Sequence, residues 1–122
     1  MSFYVDATAE PYRENYQMYT YITDELISVV ESNFWYFKPG VRSILGFSMG
    51  GSGALVCALK SPGLYRSSSA FAPFCNPSAA PIEFLPKYFG NDTEEWHKWD
   101  ATYLVQQYHG PRLNLRVDQV VI

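Results

Sequence analysis

The chain opens on Ser2-Phe3-Tyr4-Val5-Asp6-Ala7, a strand-like run, followed by a polar, Pro11-containing loop over residues 9–15. From Tyr16 the period lengthens. Met18, Ile22, Leu26, Val29 and Val30 recur at three- and four-residue steps, which predicts a helix of about four turns ending near Ser32 and Asn33. Asp24 and Glu25 fall on its polar side as solvated charges. Phe34-Trp35-Tyr36-Phe37 is an aromatic cluster closed by the turn signal Pro39-Gly40. Its expected role is to pack the helix end against a sheet, with an aromatic substrate wall as the alternative. Arg42 to Leu45 reads as the second strand, Ser52 to Lys60 as a helix ended by Pro62-Gly63, and Tyr65 to Phe71 as the third strand.

Residues 74–89 are rich in Pro and Ala, including Pro77, Pro81 and Pro86, and read as a long excursion with a short helix over Ile82 to Tyr88. Asp92-Thr93-Glu94-Glu95 has the form of a helix start, with Asp92 or Thr93 as the cap and acids in the first turn. A further short helix is expected over Thr102 to Tyr108. Leu113 to Asp118 alternates at period two and reads as a fourth strand. Strands alternating with helices build a mostly parallel sheet flanked by helices, an α/β architecture. Ligands of such sheets sit beyond the carboxyl ends of the strands.

Composition narrows the function. The 122 residues fit one domain that buries about two-thirds of its unfolded surface. Apolar residues make up 48% and charged residues 17%, a globular balance with no sign of disorder. A net charge of -3 gives no support for nucleic-acid binding. No apolar run approaches the roughly 20 residues that span a bilayer, so no membrane partner is expected. The N-terminus lacks the pattern of a signal peptide. Cys57 and Cys75 are too few and too irregularly spaced for a disulfide framework or a zinc site, and read as buried thiols in a reducing compartment.

The candidate chemistry lies in Gly46-Phe47-Ser48-Met49-Gly50, placed between a strand pattern and a helix pattern. That context is what a nucleophilic serine needs. The strand delivers it onto a tight turn, and the following helix aims its first N–H groups at whatever the serine attacks. Gly46 and Gly50 are expected to flank Ser48 because side chains there collide at so sharp a turn. A serine nucleophile requires a base, usually an imidazole oriented by a carboxylate, and in folds of this type the order is Ser, acid, His. Downstream of Ser48 stand only His97, in a polar helical segment, and His109, in a Tyr-His-Gly-Pro turn; both read as exposed. Asp118, at the end of the fourth strand, is the acid that strand position alone suggests.

Further motifs extend the pattern: Phe3-Tyr4-Val5-Asp6-Ala7-Thr8, Met18-Tyr19-Thr20-Tyr21, Ala70-Phe71-Ala72-Pro73-Phe74-Cys75-Asn76-Pro77, Trp99-Asp100-Ala101-Thr102-Tyr103-Leu104-Val105 and Val117-Asp118-Gln119. Together with Gly46 to Gly51 they resemble the S-formylglutathione hydrolase (esterase D) family over essentially the whole chain. The resemblance implies a partial α/β-hydrolase fold, residues 1–122 being the central portion of one domain, truncated at both ends. It also implies a cytoplasmic serine thioesterase that splits S-formylglutathione into glutathione and formate in formaldehyde removal, with esterase activity on simple esters. Such enzymes are commonly homodimers that act on small molecules and need no cofactor or metal. By this resemblance Ser48 is the nucleophile and the Met49 backbone N–H is half of the oxyanion hole. The family's acid lies a few residues past Val117-Asp118-Gln119, where this sequence reads Val120-Val121-Ile122, so Asp118 does not carry over as the acid. The family's histidine lies further on, and neither His97 nor His109 matches it. The expectation is therefore a nucleophile without its activating partners, inactive alone; a non-catalytic interaction protein that keeps the scaffold is the alternative.

Overall fold

The structure is a computed structural model that describes residues 3–80 and 82–120. Ser2, Pro81, Val121 and Ile122 lie outside the described residues. Three strands, β1 (Ser43–Phe47), β2 (Ser67–Phe71) and β3 (Asn114–Asp118), form a parallel sheet in the order β1-β2-β3. Their register aligns Ser43 with Ser67 and Asn114 at one end, and Phe47 with Phe71 and Asp118 at the other. All three strands thus begin at one pole and end at the opposite one.

The predicted helix over 18–33 is continuous, with α1 (Met18–Thr20) and α2 (Leu26–Asn33) joined by a π-helical turn over Tyr21–Glu25. Asp6 starts it: its carboxylate accepts from the Thr20 N–H at 3.0 Å and from the Thr20 hydroxyl at 2.6 Å. The central helix α3 (Met49–Lys60) is apolar nearly all round, and eight of its residues are buried. That composition suits an element packed on both sides. Toward the sheet, Leu55 and Leu59 meet Ala70, while Cys57 and Ala58 cluster with Tyr65 against Ile44. On its other side Val56 joins Val5, Ala7, Leu85, Tyr88, Phe89 and Trp99.

This second core explains why the opening run is not a strand. Val5 and Ala7 are buried, but the segment lies on α3 and touches strand-like structure only through a single antiparallel bridge, Asp6 to Gln17. The predicted first strand is thus replaced by an apolar strap. The excursion after β2 holds a 3-10 turn (Pro77–Ala79) and α4 (Phe84–Phe89), followed by α5 (Thr93–His97) and α6 (Ala101–Gln106). The predicted cap on α5 is present, since the Asp92 side chain accepts from the Glu94 N–H at 3.0 Å.

Asp100 caps α6 from a fully buried position. Its carboxylate accepts from the Thr102 N–H at 2.9 Å, the Ser78 N–H at 3.0 Å and the Ser78 hydroxyl at 2.6 Å. A buried charge is tolerable when its lone pairs are so occupied, and here it ties the excursion to the helices that follow.

The aromatic cluster departs from expectation. Phe34, Trp35, Tyr36 and Phe37 are 43%, 91%, 63% and 49% exposed, and their ring contacts are with one another. On β1, Ile44 faces α3, whereas Leu45 and Phe47 point the other way and are 75% and 71% exposed. Among the described residues nothing covers them.

Candidate active site

Ser48 stands where β1 ends and α3 begins, at φ 55° and ψ −118°. That pair of angles lies outside the left-handed helical well and is normally a glycine conformation. The other two strands also end in a non-glycine residue of positive φ, Ala72 after β2 and Gln119 after β3. Backbone bonds lock the rim. The Ser48 N–H donates to the Phe71 carbonyl at 2.8 Å, and the Ala72 N–H to the Asp118 carbonyl at 2.7 Å.

Close packing behind the turn depends on Gly46 and Gly51. A Cβ on Gly46 would stand 2.1 Å from the Gly50 carbonyl oxygen, and one on Gly51 would stand 2.9 Å from the Phe71 carbonyl oxygen. The expectation for Gly50 needs correction, because a Cβ there meets nothing within 4 Å. The turn needs room for the backbone of Gly50, which Gly46 provides; Gly51, which the motif reading passed over, lets the helix start lie against β2. Ser52 adds a brace that the sequence reading also missed. Its hydroxyl accepts from the Phe74 N–H at 2.8 Å and so fixes the chain beyond β2 to the first turn of α3.

Serine is a preferred helix N-cap, yet the Ser48 side chain makes no capping bond. The first helical bond runs from the Ser52 N–H to the Ser48 carbonyl at 3.0 Å. The Met49, Gly50 and Gly51 amides therefore precede the helical ladder, and among the described residues no bond to the Met49 and Gly50 amides is seen at the positive end of this 12-residue helix. A hydroxyl free of local bonds beside unclaimed amides can take up an electrophilic carbonyl and hold the oxyanion that forms.

Beside Ser48 runs a cavity of about 490 Å³, lined by the unpaired edge of β1 and by Tyr4, Ile22, Met49 and Cys57. No histidine or carboxylate lines it among the described residues. Burial pushes the Cys57 thiol up to about 12, with the nearby Asp6 charge a smaller contribution, so it is not a competing nucleophile. Cys75 is only half-buried, and its pKa is also raised, chiefly by burial and then by Asp100.

The two histidines sit at the wrong end of α3. His97 and His109 line a cavity of about 450 Å³ together with Leu59, Lys60 and Pro62, at the helix C-terminus. Twelve residues of helix place that end about 18 Å from Ser48. His97 is stacked on Tyr103, with ring centroids 3.7 Å apart, and lies 3.9 Å from the Glu94 carboxylate. Neither imidazole reaches Ser48. Asp118 is at the same pole as Ser48 but two strands away, about 10 Å across the sheet. Its exposed carboxylate accepts from Arg116 at 3.3 Å.

Residues 1–120 match the sequence profile of the family described as "Putative esterase". S-formylglutathione hydrolases of Bos taurus and Rattus norvegicus are 50% and 49% identical to the chain over 119 residues, which is 96% of this chain and 42% of each relative. A solved S-formylglutathione hydrolase from Agrobacterium tumefaciens superposes with a TM-score of 0.84 at 42% identity, covering 94% of this chain and 42% of that one. The chain spans less than half the length of the relatives it matches. The expectation of an α/β-hydrolase type of fold, with a parallel sheet packed by helices, holds.

Proposed function

Because the chain belongs to this esterase family, we propose that it is the nucleophile-bearing central portion of a single α/β-hydrolase domain that hydrolyses S-formylglutathione. Ser48 is the nucleophile, and the Met49 N–H supplies half of the oxyanion hole. The observation that carries this reading is the Ser48 turn itself, a strained residue with its hydroxyl uncommitted at the start of α3.

In the reaction the Ser48 oxygen adds to the formyl carbonyl, and its proton passes to a base. The tetrahedral oxyanion collapses, the carbon–sulfur bond breaks, and glutathione leaves with a proton as the free thiol. Water then adds to the formyl-serine, releasing formate and restoring the hydroxyl. The base and its orienting acid come from the part of the domain that the relatives possess beyond the region matched here. The chain by itself therefore turns over slowly, since loss of the base costs several orders of magnitude in rate. The complete enzyme is a cytoplasmic homodimer in this reading.

The test is a segment exchange. Residues 1–120 of this chain replace the matching segment of the bovine relative, and formate release from S-formylglutathione is measured. The folded chimera is expected to hydrolyse the thioester, and its Ser48→Ala form to lose that activity by at least about a thousandfold. A folded chimera without activity, or one indifferent to Ser48→Ala, refutes the assignment. A second reading, a binding protein that retains the scaffold, draws on the bare apolar positions Leu45 and Phe47. It predicts a chimera that folds but releases no formate.

A further inference from the structure

The pole opposite Ser48 has a chemistry of its own. Between Glu31 and Glu83 the sequence contains no acidic residue, and Lys38, Arg42, Lys60 and Arg66 are its only charges. Lys60 lies over the Trp99 ring and donates to the Lys98 carbonyl at 3.0 Å, while the other three are brought toward one rim. Arg42 and Arg66 immediately precede β1 and β2 and are bonded in one row, the Arg66 N–H donating to the Arg42 carbonyl at 2.8 Å. The Asn114 N–H donates to the Arg66 carbonyl at 3.2 Å, which brings Arg112, just ahead of β3, to the same rim. Lys38 and Phe37 line a groove of about 370 Å³ with Arg42 and Tyr65, so the aromatic strap adjoins this rim.

Lys38, Arg66 and Arg112 are exposed and make no ion pair among the described residues. Two acids at this pole are engaged, Glu31 with Arg42 at 2.7 Å and Glu95 with Lys98, whereas Glu94 is exposed and lies 3.9 Å from His97. A chain of net charge -3 thus presents a cationic rim beside four consecutive exposed aromatic rings.

We propose that this pole is a docking face for an anionic lipid surface, with Trp35 and Tyr36 entering the headgroup layer while Lys38, Arg66 and Arg112 meet lipid phosphates and carboxylates. Charge complementarity chooses the sign of the surface. The shape of the strap chooses lipid over protein. Trp35 is 91% exposed and so protrudes, and among the described residues its aromatic contact is with Tyr36. A protruding ring without a supporting pocket needs a deformable partner, and Trp and Tyr favour the boundary between headgroups and acyl chains. No membrane-spanning segment is required, because such a contact lies on the surface. The five residues of β1 separate the strap from Ser48 by about 16 Å, so the serine turn faces away from the bound surface.

The test is flotation of the full chain with vesicles of phosphatidylcholine, with and without phosphatidylserine. Binding is expected only where phosphatidylserine is present, and it should weaken with added salt. Exchanging Lys38 or Arg66 for Glu removes at least one favourable charge, which lowers partitioning about fivefold or more. The double change Trp35→Ser and Tyr36→Ser lowers it about tenfold or more. Trp35→Phe keeps binding but loses most of the quenching of tryptophan fluorescence by brominated lipid. The proposal is overturned if the chain floats equally with neutral vesicles, if the strap or rim substitutions leave flotation unchanged, or if brominated lipid quenches Trp35→Phe as strongly as the parent. Retention on heparin without vesicle binding also overturns it, since that marks a general polyanion site.

Discussion

Replacing Ser48 by Gly and by Ala separates the strain in the turn from its chemistry. Ser48 holds φ 55° and ψ −118°, a conformation that costs a residue with a Cβ about 1–3 kcal/mol. Its side chain makes no capping bond, so truncation forfeits none. Ala keeps the Cβ and therefore the strain, and its stability should stay close to that of Ser. Gly sheds the strain but adds backbone entropy to the unfolded chain, an opposing contribution of about 0.5–1 kcal/mol. The balance, between about 0 and 2.5 kcal/mol with a centre at about 1, leaves Ser48→Gly more stable than Ser48→Ala. With urea m-values of about 1–3 kcal/mol/M, the midpoint moves up by several tenths of a molar unit or more. Equilibrium urea unfolding, followed through the fluorescence of the buried Trp99, reads this directly. Both variants should lose the hydrolytic activity of the chimera. A Gly variant that unfolds at or below the midpoint of the Ala variant refutes the claim that the turn stores strain at its nucleophile.

The flanking glycines should behave oppositely. Gly46→Ala forces a Cβ to within 2.1 Å of backbone and should destabilise by at least about 1–3 kcal/mol, whereas Gly50→Ala, in open space on the helix, should stabilise by about 0.5–1 kcal/mol; equal urea midpoints would contradict this packing account. Alkaline stability offers another check. The Cys57 thiol ordinarily ionises near 9.0 but is pushed up to about 12 in the fold, so above pH 9 the unfolded chain releases a proton that the folded chain keeps. Stability is then fully present below that pH and declines toward about 12, and Cys57→Ala should make the decline shallower, leaving the contributions of Tyr65, likewise raised to about 12, and of Cys75, Tyr19 and Tyr88, which burial also raises.

Where the sequence and the fold agree, local signals and global packing point the same way. The run into Ser48, the helix after it, and the strands ending at Phe71 and Asp118 stand where their patterns place them, bounded by Gly and Pro, and β2 alternates in burial as its period requires, whereas β3 is exposed at every position. The departures have a common origin. Val5 and Ala7 form an apolar alternation, but α3 offers them a second buried side, and packing there displaces strand pairing. The rings of 34–37 look like core by residue type, because composition does not state which side of an element faces inward. Gly50 belongs to the motif while Gly51 bears the contact with β2, a distinction only the approach of two backbones reveals. Asp100 read as one residue of a family motif, yet its carboxylate holds three donors. No local pattern signals Ser78 as its partner.

Among the described residues one edge of β1 is unpaired, and that bears on how such a chain behaves in company. Natural sheets guard their borders with charges, prolines or bulges. Ser43-Ile44-Leu45-Gly46-Phe47 has no charge and no proline, and its outward apolar positions lie open. Nothing in that strand discourages a neighbouring chain from adding to it. In a chain whose edge is left open, self-association is the expected consequence, growing with concentration and competing with any rightful partner for the same row of amides and carbonyls.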